Sequence, residues 1–335
     1  MASESGATAV VLDPKSDMQS SVPKLGANSS LSEEGLELND GTGEGEESVQ
    51  PNVDQGVAVP AGPARPADDE ILLQENSIKA EEAGKMEFIG DKEPLSALAA
   101  EYERGNEVFK AKIQKLGETY GSIRRTRGDG NCFFRGFMFA YLERLLHSQD
   151  KTELPRMRDR IERCKQELIA IGYTPFTFED FLEIFMDQLE SVLPEEGQPI
   201  SLSELEVRCR DPNVSNWAVM FFRFVTSAEV QRRAEFFEPF ILGLTNLDVK
   251  KFCQTSVEPM GEESDHVHIT ALTDALGIPV RIVYLDRSGG ASDDALEINH
   301  HDFVPESAPE SFKPDTSGLL TLLYRPGHYD ILYSL

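Results

Sequence analysis

A cysteine follows a glycine-flanked loop in Arg127-Gly128-Asp129-Gly130-Asn131-Cys132-Phe133-Phe134, at the head of an apolar segment that reads as a helix. Far down the chain, Gly327-His328-Tyr329-Asp330 puts a histidine and an acid two residues apart in a strand-like stretch. These are the groups that nucleophilic thiol chemistry requires: a cysteine, a base for its proton, and an acid that orients the base, contributed by distant segments. Only the thiolate attacks a carbonyl well, so the surroundings must favour the anion. A helix start at Cys132 does this through its free N–H groups and dipole. A histidine paired as imidazolium adds to it. Arg124, Arg125 and Arg127 lie just upstream and face either the thiol or solvent.

The flanking segments are suited to holding these groups in place. Gly128 and Gly130 predict a turn with positive φ or close backbone approach. Such a loop can aim amide N–H groups at one point, where an acyl oxyanion would form. After Cys132, the residues Phe134, Met138, Tyr141, Leu142 and Leu145 recur at three- and four-residue steps. That spacing predicts one buried helical face and a rigid mount for the nucleophile. Residues 319–324 read as a strand, Arg325-Pro326-Gly327 as a turn, and 328–333 as the returning strand. Residues i and i+2 of a strand share a face, so Asp330 can hold one ring nitrogen of His328 and leave the other for Cys132. Tyr329 then points the other way, into packing. Taken singly, each motif has a plainer explanation: a lone cysteine is usually a small core residue, and His-x-Asp is common by chance.

Periodicity predicts further helices over 95–102, 106–116, 154–171, 178–192, 201–210, 216–228, 248–254 and 269–276, the last closed by Gly277. Strands are predicted over 280–285, near Ile298, and in the terminal pair. Helices first and strands last imply α+β rather than a repeated βαβ architecture. Trp217 is the only tryptophan. It follows the cap-like run Asn213-Val214-Ser215-Asn216 and reads equally as a contact anchor or as a core or hinge aromatic.

Gly128-Asp129-Gly130-Asn131-Cys132-Phe133-Phe134-Arg135 and Tyr324-Arg325-Pro326-Gly327-His328-Tyr329-Asp330-Ile331-Leu332-Tyr333 resemble the two signature blocks of the otubains, cysteine deubiquitinases of the ovarian-tumour type. Phe176-Thr177-Phe178-Glu179-Asp180-Phe181, Phe236-Phe237-Glu238-Pro239-Phe240-Ile241, Val257-Glu258-Pro259-Met260 and the stretch from Glu263 to Ile269 are similar to the same family. The resemblance runs from Phe88 to Leu335. Phe133-Phe134 and Gly261 resemble the plant members. The resemblance implies a helix-rich, papain-like α+β protease fold with a small C-terminal sheet, and no cofactor or metal. It implies Cys132 as nucleophile, His328 as general base and acid, Asp330 as the orienting acid, and the backbone of Asp129 and Cys132 as oxyanion hole. It implies cleavage of ubiquitin–lysine isopeptide bonds, with a preference for the chain linkage that targets the proteasome and a broader range in plant members. Ubiquitin-conjugating enzymes are implied as a second class of partner, bound without catalysis. Glu263 matches a family glutamate that holds the histidine in an inactive pose; a solvated loop glutamate is the plainer reading.

Residues 1–85 contain no Phe, Trp, Tyr or Cys and carry 17 acids against 5 bases. Such a segment cannot bury enough apolar area to offset chain entropy and is expected to be disordered, with a transient helix near 70–82. Residues 86–335 fit one catalytic domain. The whole chain has a net charge of −27, which disfavours nucleic acid as partner and suits a basic protein tail. No stretch approaches the roughly 18–20 apolar residues of a membrane span, and no signal peptide is visible. A cytoplasmic and nuclear location with reduced thiols is expected. Cys164, Cys209 and Cys253 read as structural. His266 and His268, after a Ser264-Asp265 cap, and His300-His301 in a loop, read as packing or surface groups rather than metal ligands.

Overall fold

The computed structural model describes residues 81, 84–103, 107–286, 298–309, 312 and 319–335. The chain divides into two units, Met1–Ala64 and Arg65–Leu335, and the described residues all fall in the second. Apart from its last few positions, the expected disordered tail lies outside the described residues, as does most of the transient helix near 70–82.

The histidine and the acid sit on strand β6 (His328–Ser334), an interior strand of a six-stranded sheet. β6 pairs antiparallel with β5 (Leu320–Arg325) through a tight hairpin that sets Arg325 opposite His328. Its other edge pairs antiparallel with β2 (Tyr120–Thr126). The sheet is completed by β1 (Ile89–Pro94) beyond β2, and by β3 (Val280–Tyr284) and β4 (His300–Phe303) beyond β5. Among the described residues only the β3–β5 pairing is parallel.

Alternation along the strands builds two cores. Leu320, Leu322 and Ile331 face the main helical layer. Ile123, Val283, Leu323 and Leu332 face the short helices α1 (Ser96–Glu101) and α2 (Glu107–Leu116). The helical layer is centred on α3 (Cys132–Ser148), flanked by α4 (Glu153–Ala170), α5 (Glu179–Val192), α6 (Leu202–Arg210) and α7 (Pro212–Arg232). Helix α3 is buried on all sides over its first three turns, not along the single face that its spacing predicted. Phe137, at its middle, stacks on Tyr141 and meets Phe222 edge-on. Truncating it to alanine is expected to cost about 3–5 kcal/mol.

The α+β class agrees with the sequence, and several elements differ from it. Strands β1 and β2 precede the cysteine, where none was expected. Helix α8 (Ala234–Thr245) forms despite Pro239 in its interior. Helix α7 starts one turn earlier than predicted, at Pro212, because Asp211 caps it by accepting from the amides of Asn213 and Val214 at 2.8 and 3.3 Å. The predicted 248–254 helix is the short α9 (Val249–Phe252), followed by a π turn over Cys253–Val257. The His300-His301 pair lies in β4 rather than in a loop. Helix α10 (His266–Leu276) starts about one turn before the predicted 269–276, capped by Asp265 of the expected Ser264-Asp265 pair, and ends on Gly277 with φ 66°.

Candidate active site

Cys132 is the first residue of α3 and is 4% exposed. Of the two glycines in the loop before it, one is required by the backbone. Gly130 has φ 73°, and a Cβ there would collide with the carbonyl of Gly261, which itself has φ 89°. Gly128 has neither the positive φ nor the close approach expected of it, since a Cβ there would stand 3.7 Å from Nδ1 of His328, an ordinary contact distance. Asp129 folds its side chain back under the loop. Its Oδ1 accepts from the Asn131 amide at 3.1 Å and its Oδ2 from Arg135 Nη2 at 2.7 Å. The Asp129 amide donates to the Arg127 carbonyl at 3.0 Å, so in this conformation it is engaged rather than free for an oxyanion.

The hairpin presents His328 and Asp330 on one face, as the strand period requires. His328 Nε2 lies 2.8 Å from Asp330 Oδ1. Its Nδ1 is left free of Asp330, and Cys132 is among the groups that raise the ring. Asp330 is fully buried and also accepts from Arg325 Nη2 at 2.6 Å and the Thr126 amide at 3.0 Å. Burial alone would raise its carboxyl, but His328, Arg325 and Thr126 together hold it below the usual 3.8. Burial likewise pulls the His328 imidazolium down, yet the hydrogen bonds and charges of Asp330 and Cys132 outweigh it and raise the ring from 6.5 to about 9. Tyr329 turns inward, edge-on to Phe133 at 5.5 Å, and donates its hydroxyl to the Ser264 carbonyl at 3.1 Å. A thiol at a helix start, an imidazole and a buried carboxylate in sequence are the parts of a thiol-acyl-transfer centre.

The Peptidase C65 Otubain family model matches residues 81–334. The chain belongs to the otubain family. This otubain is 55% identical over 258 residues to the ovarian tumor domain-containing deubiquitinating enzyme 1 of Arabidopsis thaliana, covering 77% of this chain and 84% of that protein. It is 40% identical over 266 residues to the human ubiquitin thioesterase OTUB1, covering 79% and 90% of the two. Among solved structures it is similar to h/ceOTUB1 in complex with ubiquitin aldehyde and UBC13~Ub. That match has a TM-score of 0.68 and 32% identity, over 80% of this chain and 98% of that one. The plant-type character of Phe133-Phe134 and Gly261 agrees with the higher identity to the Arabidopsis protein.

Several features of the otubain site were not legible in sequence. None of the three upstream arginines has the thiol among its hydrogen-bond or ion-pair partners. Arg124 binds Glu206, Tyr333 and the Gly90 carbonyl. Arg125 binds Glu93 and approaches Asp330 at 3.6 Å. Arg127 donates to the Met86 carbonyl and lies on the Phe88 ring. The cations coupled to Cys132 are Arg135 and Arg223, both buried. Burial lowers both guanidinium groups, Arg223 to about 10, and the neighbouring acids and Cys132 only partly oppose this. Glu263 has its carboxylate beside Gly327, while His328 is paired to Asp330. The remaining cysteines are buried thiols, each pushed by desolvation up to about 12. His268 Nδ1 lies 2.7 Å from Asp265 and its Nε2 3.0 Å from the Ser256 carbonyl, and His266 Nε2 is 2.7 Å from the Tyr284 hydroxyl. Among the described residues no cluster of three metal-ligating side chains occurs, and no helix is long and apolar enough to cross a membrane. Trp217 is 38% exposed and edge-on to Phe181, and Phe176, five residues before Phe181, is 94% exposed.

Proposed function

We propose that this otubain is a thiol isopeptidase that removes ubiquitin from polyubiquitin chains and conjugates, using Cys132, His328 and Asp330. The observation that carries the reading is the 2.8 Å contact of His328 Nε2 with buried Asp330, which leaves Nδ1 free for a thiol at a helix start, Cys132. The Cys132 thiolate attacks the isopeptide carbonyl, and the carbonyl π pair moves to oxygen. Collapse of this adduct expels the lysine amine, which takes its proton from the His328 imidazolium. Water, deprotonated by His328, then attacks the thioester and frees the ubiquitin carboxylate and the thiol. Asp330 keeps the ring oriented and stabilises its charged form. Asp129 contributes through its side chain, as the acceptor that shapes the loop.

A second reading is supported by the solved otubain neighbours, which hold ubiquitin aldehyde together with a ubiquitin-charged UBC13 or UBCH5B. This chain would then also bind charged conjugating enzymes and block chain growth without cleavage. A panel of diubiquitin linkages and a conjugation assay, each run with wild type and Cys132→Ser, separates the two. Loss of cleavage in Cys132→Ser supports the hydrolase. Cleavage retained in Cys132→Ser sinks it. Conjugation blocked equally by both proteins supports the second activity as well.

A further inference from the structure

Two arginines that the proposed chemistry does not use lie completely buried beneath the loop of the nucleophile. Arg135, on α3, donates through Nη2 to Asp129 Oδ2 at 2.7 Å and to Asn216 Oδ1 at 2.8 Å, and through Nη1 to Ser215 Oγ at 2.6 Å. Its plane rests on the Phe88 ring at 3.9 Å. Arg223, in the middle of α7, donates through Nη2 to the Gly130 carbonyl at 3.1 Å, Asn131 Oδ1 at 2.7 Å and the Glu262 carbonyl at 2.8 Å. Its Nη1 donates to the Val257 carbonyl at 2.9 Å. The same Asn131 oxygen accepts from the Gly261 amide at 3.0 Å, so one guanidinium ties the cysteine loop to the 257–262 loop. Arg223 has no carboxylate within ion-pair distance among the described residues; its acceptors are carbonyls and one side-chain amide. A buried cation compensated in this way is a poor device for stability alone.

The consequence for the loop follows from the planarity of the peptide unit, which points each N–H opposite the preceding carbonyl. The Asp129 carbonyl is held by Asn131 Nδ2 at 3.1 Å, the Gly130 carbonyl by Arg223, and the Asn131 carbonyl by the Arg135 amide at 3.0 Å. Those three bonds fix, in turn, the directions of the Gly130, Asn131 and Cys132 N–H groups. Arg223 reaches the Gly130 N–H through Asn131, whose Oδ1 it holds while Nδ2 of the same amide holds the Asp129 carbonyl. The Asn131 N–H is taken by Asp129 Oδ1. Among the described residues no acceptor meets the N–H of Gly130 or of Cys132.

We propose that Arg223, acting through the Asn131 side chain and assisted by Arg135, is a positioning residue that holds the loop so that the free N–H groups of Gly130 and Cys132 receive the acyl oxyanion. This rests on the reading of Cys132 as nucleophile. It places one of the two donors at Gly130, where the resemblance implied Asp129. A lysine cannot replace Arg223, because one ammonium cannot reach four acceptors spread around a planar fork.

The test uses the full-length protein with Arg223→Lys and Asn131→Ala. Three quantities are read: kcat and KM on a ubiquitin C-terminal amide substrate, the rate at which iodoacetamide alkylates Cys132, and the thermal melt. Alkylation displaces iodide and forms no oxyanion, so it reports only the thiol and its histidine. In both variants kcat is expected to fall about 10–100-fold, below or near the full loss of an oxyanion donor. KM should stay within about twofold and alkylation within about threefold of wild type, since neither needs the oxyanion donors. Wild-type kcat in folded Arg223→Lys, or kcat and alkylation falling in parallel, would overturn the proposal. If Arg223→Lys does not fold, Asn131→Ala decides on the same criteria, because it removes the amide through which Arg223 acts and leaves Arg223 its three carbonyl acceptors. Wild type that fails to cleave, or Cys132→Ser that still does, would overturn the nucleophile assignment and this proposal with it.

Discussion

The two halves of the site are held by opposite means. His328 and Asp330 stand on an interior strand whose ladder fixes both its edges, and their common face follows from a two-residue period. Cys132 stands at the end of irregular backbone that no ladder supports. Its loop is shaped by its own Asp129 and Asn131 side chains, which are held in turn by Arg135 in the first turn of α3 and by Arg223 on α7. The hairpin is therefore local and tolerant of change outside its reacting groups, whereas the loop is non-local and sensitive to residues that never touch substrate.

The largest effect expected is on the hairpin's own chemistry. His328→Ala should lower kcat/KM for diubiquitin by about 10³-fold or more, and Asp330→Asn by less, because a missing base costs more than a missing orienting acid. Near-wild-type cleavage by His328→Ala would show that the base lies elsewhere.

Glycine substitutions sharpen the contrast between the halves. Gly130→Ala and Gly327→Ala both place alanine at positive φ, 73° and 74°, at an intrinsic cost of roughly 1–2 kcal/mol each. Only at Gly130 does the new Cβ strike backbone, the carbonyl of Gly261; at Gly327 it meets the Glu263 carboxylate at 3.5 Å, which can move. Gly130→Ala should thus lose both melting temperature and kcat, and Gly327→Ala mainly melting temperature. Equal loss of kcat in the two would remove the distinction.

The pH profile tests the coupling between the halves. Folding raises His328 from 6.5 to about 9, so its contribution to stability is full below 6.5 and is lost as pH rises through about 9. The imidazolium that protonates the leaving amine disappears over the same range, and kcat/KM should decline there. Asp330→Asn removes a group that raises the ring, so this limb should move to lower pH. A limb that moves upward, or not at all, would contradict the assigned pairing.

How much of this was legible follows the same division. The hairpin was readable because alternation around Arg325-Pro326-Gly327 is a local signal. The cap at Asp265 and the stop at Gly277 were readable for the same reason. Strand β2 was not, because Arg124 and Arg125 interrupt its apolar pattern; both are buried by partners as distant as Glu206. Helix α8 was hidden by Pro239. Arg135 and Arg223 carry no local signal at all, since their acceptors are mostly carbonyls and side chains far away in sequence. The engaged amide of Asp129 was equally invisible.

The smallest effect expected is from the N-terminal segment. The reacting groups all lie within 86–335, so deletion of residues 1–80 should leave cleavage of a simple ubiquitin ester nearly unchanged. A raised KM for diubiquitin alone would mean that the segment grips the second ubiquitin. A large loss on the ester would mean that it supports the site itself.

The central claim, that Cys132 is the sole nucleophile, is tested most directly by ubiquitin carrying a C-terminal electrophile, with the adduct located by peptide mass spectrometry. Cys164, Cys209 and Cys253 are buried thiols raised to about 12. The expected result is a single adduct on Cys132 that vanishes in Cys132→Ser. An adduct on any of the other three, or one that persists undiminished in Cys132→Ser, would contradict the account.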